Sequence, residues 1–232
     1  MTKHSLCNKQ LDPTTFINWL QILARVPNSI LWLLNFPKDG AQNLAQWASN
    51  YAGPSVAARV IFTDPASKEQ HILRARACDL FLDTPECNAH TTAADVLWAS
   101  TPVLTLPRYE YKMCSRIGAS CLRGALPRGP EGDALAQEMI ATDELDYVNK
   151  AVELASGLVF VVHQAGQDEE DPWRGGSYAE GFGKLANLRR ILFDNKRTCA
   201  LFDTRGWVSN IERAYEEAWR RWVLGEGGDI WL

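Results

Sequence analysis

The sequence predicts an α/β fold: a Rossmann-like parallel sheet with helices on both faces, followed by a helical C-terminal region. Three observations carry this. The runs "SILWLLNF" (29 to 36), "ARVIFTD" (58 to 64) and "CDLFLDT" (78 to 84) are almost continuously apolar, as strands buried on both faces are. Amphipathic stretches of helical length alternate with them, which marks βαβ units. Beyond about residue 125 the strand-like runs give way to helical ones. With 232 residues and 46% hydrophobic content the chain can bury a real core. We therefore divide it into a Rossmann-like core, 1–125, and a helical extension of the same domain, 126–232.

In chain order, Asp12-Pro13 before "TTFINWLQILARV" is a helix start, with Phe16, Leu20 and Leu23 recurring at helical spacing. The strand 29–36 follows, then a helix in "AQNLAQWASNYAG" that stops near Gly53. After the strand 58–64 comes the helix "SKEQHILRARA" (67 to 77), and then the strand 78–84. "TTAADVLWAS" and "PVLTLP" continue the alternation, and "YEYKMCSRIGASCLRG" (109 to 124) reads as a helix. "GDALAQEMIA" and "DELDYVNKAVELAS" are two more. Residues 164–182 are polar, Gly-rich and acidic, and read as a surface insertion or mobile loop. At 206–225, Trp207, Ile211, Ala214, Ala218 and Trp222 fall on one stripe, so a long amphipathic helix is expected to dock there.

Composition excludes more than it assigns. The net charge of −4 comes from 24 basic and 28 acidic residues spread along the chain, so no basic face for nucleic acid stands out. Six cysteines include no C-x-x-C pair, and the histidines His4, His71, His90 and His163 are scattered, so no zinc spacing is present. A reduced, soluble protein is expected. The first ten residues hold no apolar signal core, and no run approaches membrane-spanning length.

In parallel sheets ligands lie where a strand hands over to its helix. "DTPECNAHTTAADVLW" (83 to 98) is such a handover: an apolar strand empties into His90, Thr91 and Thr92, and a helix begins. Thr92 and Asp95 have capping-box spacing, the threonine hydroxyl accepting from a free N–H and the acid reaching back. The same helix start is equally a seat for an anion, since its first N–H groups lack partners and carry partial positive charge. There His90, Thr91 and Thr92 add donors, and Asp95 fits better turned onto sugar hydroxyls. At the neighbouring handover Lys68, His71 and Arg74 are spaced by three and share one flank. Either they face solvent, or the cation at the helix start answers a bound anion. Two such sites on successive strand ends point to a phosphorylated ligand.

The strings "KEQHILRARACDLFLDTPECNAHTTAADVLWASTPVLTLP" and "LDPTTFINWLQILARVPNSILWLLNFP" closely resemble the carboxyl-terminal catalytic half of the protein O-GlcNAc transferase family, in a fungal-like form. The resemblance is strong from about residue 11 to 125 and returns in "ALFDTRGWVSNIERAYEEAW". It implies a GT-B glycosyltransferase fold of two Rossmann domains, of which this is one half. The implied activity is transfer of N-acetylglucosamine from UDP-GlcNAc to serine and threonine hydroxyls, with inversion, no cofactor and no metal. Residue by residue, it makes Lys68 and Asp95 ribose contacts, Arg74 a uracil contact and His71 a wall of the uridine pocket. His90, Thr91 and Thr92 would hold the diphosphate. A family lysine that also reaches the diphosphate falls where this chain has Gln10, with Lys9 one step earlier.

The implied partners are UDP-GlcNAc or UDP, protein acceptors, and the amino-terminal catalytic half with its helical repeats, which this sequence lacks together with the acceptor-side groups. Neither nucleic acid nor membrane is implied, and the location is cytoplasmic or nuclear. The competing reading is a non-catalytic UDP-binding or interaction module; a third is a nucleotide-sugar transferase of other specificity.

Overall fold

The computed structural model describes residues 11–164 and 177–230. Its first helix, α1 (Pro13–Arg25), begins as the sequence dictates: Asp12 caps it by accepting the Thr15 amide at 3.0 Å, and Pro13 takes the first turn. One face of α1 buries Phe16, Trp19, Leu20, Ile22 and Leu23. Strand β1 (Leu31–Leu34) pairs in parallel with β2 (Val60–Thr63), and β3 (Phe81–Leu82) pairs in parallel with β4 (Val103–Leu104). A parallel bridge from Thr105 to Ile140 extends the second pair. The expected parallel sheet is thus present as short pieces, whose apolar side chains form one core with the surrounding helices.

Between the strands run α2 (Lys38–Ala52), the single turn α3 (Pro54–Ala57), α4 (Lys68–Arg76) and α5 (Thr91–Trp98). Gly53, at φ 85°, ends α2 where the sequence places the stop. Helices α6 (Ile117–Ala125), α7 (Pro130–Met139) and α8 (Glu144–Ser156) complete the layer, α8 packing on α1 through Trp19 and Tyr147.

Three expectations are corrected. The stretch 109–124 is not one helix: a 3₁₀ turn at Met113–Ser115 precedes α6. The Ser115 hydroxyl donates to the Pro85 carbonyl at 2.7 Å and accepts the Tyr109 amide at 3.2 Å, a side chain competing with helical backbone bonds. The C-terminal region is also not wholly helical. Strands β5 (Val159–Gln164) and β6 (Ser177–Phe182) pair as an antiparallel ribbon, so part of the predicted 164–182 loop is strand. Residues 165–176 of that loop lie outside the described residues. The ribbon escaped detection because Val159, Phe160, Val161 and Val162 are all exposed, leaving no alternation to read.

After α9 (Lys184–Asn195), the third correction concerns α10 (Thr204–Leu224), which forms but buries no apolar stripe against the described residues. None of its residues is buried, and Trp207, Trp219 and Trp222 are 63%, 68% and 78% exposed. Local forces hold the helix: Asp203 caps it, Glu217 pairs with Arg220 and Arg221, and Gly225 ends it at φ 69°. An apolar stripe requires a partner surface, but nothing requires that surface to come from the same chain.

Candidate functional site

At the β3-to-α5 handover the helix begins at Thr91, with His90 in the N-cap position and no side chain capping it. The predicted capping box is therefore not formed. Thr92 is the second helical residue, and the Asp95 carboxylate turns away from the helix start to receive Lys68 Nζ at 2.7 and 2.8 Å. The strong ionic partner outcompetes the weak local one. What remains is an eight-residue helix whose positive end carries exposed His90 and Thr91 and a half-buried Thr92.

The second handover supplies the partner. Ser67 caps α4, which places Lys68 in its first turn, where a cation opposes the helix dipole unless a negative group faces it. Asp95 on α5 is that group. The Lys68–Asp95 pair thus ties together two helices that leave successive strands, as convergence on one crevice requires. His71 lies one turn further along α4, half-buried. Arg74 is anchored rather than free, its Nη1 donating to the Asp64 carbonyl at 2.8 Å in the β2–α4 loop. Lys9 and Gln10 lie outside the described residues.

Beneath this surface is a polar layer that sequence reasoning missed. Asp83, Thr84, Asn88, Thr105 and Ser115 are all fully buried. Asp83 Oδ1 accepts the amides of Thr84 at 2.9 Å and Ala89 at 2.7 Å, and Oδ2 accepts the Thr105 hydroxyl at 2.7 Å. Asn88 donates to the Thr84 carbonyl and accepts the Gly118 amide, both at 3.0 Å. Tyr147 donates to the Asp83 carbonyl at 2.9 Å and receives Trp19 Nε1 at 3.2 Å. Burial pushes the Asp83 carboxyl up to about 7 from the ordinary 3.8, although its hydrogen bonds pull the other way. The available signal was the acid closing an apolar strand in "CDLFLDT".

The layer also explains Gly118. A Cβ there would stand 2.3 Å from Asp83 Oδ2 and 2.5 Å from Thr105 Oγ1, so only glycine lets α6 approach so closely. Burial raises the Cys87 thiol on the same turn, with the neighbouring Cys114 adding to the effect. No cluster of potential metal ligands occurs among the described residues. A separate concavity of about 760 Å³, lined by Arg76, Ser100, Phe160, Arg189 and Phe193, opens beside the segments that enter β3 and β4, away from these handovers. No described helix is long and apolar enough to cross a membrane.

Comparison with known proteins bears on the family and the fold. The chain is 37% identical over 218 residues to a probable UDP-N-acetylglucosamine–peptide N-acetylglucosaminyltransferase of Arabidopsis thaliana, covering 94% of this chain and 18% of the relative. It is 31% identical to the UDP-N-acetylglucosamine–peptide N-acetylglucosaminyltransferase of Caenorhabditis elegans, covering 93% of this chain and 16% of the relative. It thus spans under a fifth of either relative's length. Among solved structures, a mutant of the Thermobaculum terrenum O-GlcNAc transferase superposes with a TM-score of 0.71 at 22% identity, covering 94% of this chain and 36% of the other. This likeness shows the expected α/β fold. Residues 6–165 match the model of glycosyl transferase family 41, and the chain belongs to that family.

Proposed function

We propose that the chain is the UDP-sugar-binding, carboxyl-terminal half of a transferase that moves N-acetylglucosamine from UDP-GlcNAc to serine and threonine hydroxyls of proteins. The observation that carries this is the Lys68–Asp95 pair beside a helix start that no side chain caps. The Asp95 side chain, oriented by Lys68, is an acceptor for ribose hydroxyls. Arg74 reaches the uracil and His71 walls the uridine pocket. His90, Thr91 and Thr92, with the first amides of α5, receive the diphosphate, and Lys9 or Gln10 adds to it.

The chemistry follows from charge. As the bond from sugar to phosphate breaks, negative charge grows on the leaving diphosphate, and donors already aimed at it stabilise that charge without reorganising. We assign no metal or cofactor to this step. The acceptor side belongs to the amino-terminal half, for which the exposed stripe of α10 is a docking face. A cytoplasmic or nuclear location goes with this reading.

Calorimetry with UDP, without magnesium, tests the donor site: weak binding by the folded chain is expected, and no heat up to about millimolar UDP, roughly −4 kcal/mol of binding free energy, sinks the reading. Transfer of labelled sugar should appear only when the chain is co-expressed with the amino-terminal half of a relative. Binding that never leads to transfer, even in that assembly, would make this a non-catalytic UDP-binding module.

A further inference from the structure

We propose that Asp83 is the positioning residue of the diphosphate seat: its buried carboxylate gathers the amides of Thr84 and Ala89 and the hydroxyl of Thr105, and so fixes the turn that aims His90, Thr91 and Thr92. The inference rests on the UDP-site reading above and adds to it a residue that touches no ligand. Ala89 immediately precedes the N-cap, so the bond to its amide sets the direction in which the chain enters α5. Thr105 follows β4 and Thr84 follows β3, so one carboxylate ties two strand ends to one helix start. Asn88 and Gly118 hold the other side of the turn.

The chemistry favours an acid. The carboxylate accepts two amides at Oδ1 and the Thr105 hydroxyl at Oδ2, whereas an asparagine would keep the first oxygen but turn its NH₂ onto Thr105 Oγ1, which must then reverse its hydroxyl and accept, and it would carry no charge to hold the amides. The titratable groups facing it are Tyr147 from α8, Cys121 from α6 and Cys87 from the turn, all of which burial holds protonated beyond their ordinary range. None can replace its negative charge. With the carboxyl titrating near 7, its ionised form holds the three donors more strongly than its protonated form, so the turn loosens on acidification while the carboxyl stays buried and the fold as a whole gains stability.

The test uses the 232-residue chain and UDP-N-acetylglucosamine, a diphosphate diester with no proton to lose near neutrality. Wild type and Asp83→Asn are titrated at about pH 6 and about pH 8, and the ratio of their Kd values cancels whatever titrates alike in both proteins. At the higher pH the variant should bind about ten-fold more weakly; at the lower pH the two should converge. A ratio near one at both pH values, or equally large at both, overturns the proposal.

Amide hydrogen exchange of Thr84 and Ala89 is followed in parallel. Protection should fall on acidification in wild type and be low throughout in Asp83→Asn; protection independent of pH in wild type overturns the proposal. Should wild type fail to bind the nucleotide sugar, the donor-site reading falls, and the exchange arm still decides the role of Asp83. Should Asp83→Asn fail to fold, Thr105→Val takes its place. It removes a bond that favours the charged form, so the pH at which protection drops must rise, and an unchanged midpoint overturns the proposal.

Discussion

Stability should depend on pH through Asp83 in the direction opposite to most carboxylates. The side chain is completely buried, and desolvation places its folded-state value at about 7 against 3.8 in the unfolded chain. The folded protein therefore holds a proton that the unfolded chain has already lost. The stability contributed by this group is full below 3.8 and is lost as pH climbs through about 7. The whole difference is worth about 4 kcal/mol, a large part of the ~5–15 kcal/mol typical of a domain. Between about pH 5.5 and pH 8 the share lost is about 2 kcal/mol. Urea denaturation of wild type and Asp83→Asn across that range isolates it, because other groups cancel in the difference. The wild type should lose about 2 kcal/mol relative to the variant on going to the higher pH, with equal m-values. A difference that stays flat would show that Asp83 is charged in the fold at every pH, and the desolvation argument would fail.

Gly118→Ala drives a Cβ to 2.3 Å from Asp83 Oδ2, so thermal unfolding should register a loss of about 1–3 kcal/mol; no loss would mean that α6 shifts freely. Arg74→Ala should weaken UDP about ten-fold, by loss of a charge-assisted hydrogen bond, and an unchanged affinity in calorimetry would leave Arg74 only its bond to the Asp64 carbonyl. In Asp95→Asn the exposed Lys68 pair is weakened, which should change stability by less than about 1 kcal/mol while UDP affinity falls; equal affinity rejects the ribose contact. Thr92 is not an N-cap, so Thr92→Ala should also leave stability within about 0.5 kcal/mol while weakening UDP; a larger loss of stability with intact binding would restore the capping role.

Legibility followed burial. Strands β1, β2 and β3 and the cap of α1 were readable because two-sided burial makes a continuous apolar run and a helix start must satisfy its amides locally. The meeting of the two handovers was readable because parallel topology brings the ends of successive strands to one side of the sheet, where Lys68 and Asp95 pair. The β5–β6 ribbon was not, since its valines face solvent and carry no period. The stripe on α10 was seen, but an apolar face at helical spacing says that a surface will be covered and not by what. Of the two readings left open for Asp95, the capping one fails because its spacing of three fits a capping box while the residue that captures it, Lys68, lies 27 positions away. Long-range pairing of that kind leaves no mark in a local window.

For the proposed seat, the buried layer beneath it offers a reason to carry an acid that weakens the fold. Where β3 ends, the chain must turn sharply into α5, and the amides of Thr84 and Ala89 point into a region closed to water. Buried amides without acceptors would each lose about 1–3 kcal/mol. One carboxylate oxygen takes both, more strongly than a neutral carbonyl would, and the second oxygen, which a carbonyl lacks, holds the next strand through Thr105. The linkage continues through the Asp83 carbonyl to Tyr147 and Trp19, so the turn is braced against α8 and α1 through two of the most deeply buried side chains of the core. A seat for a diphosphate works only if its donors are already aimed when the charge develops. The carboxylate destabilises the fold by a few kcal/mol and removes the freedom of the turn, and preorganisation is what that exchange provides.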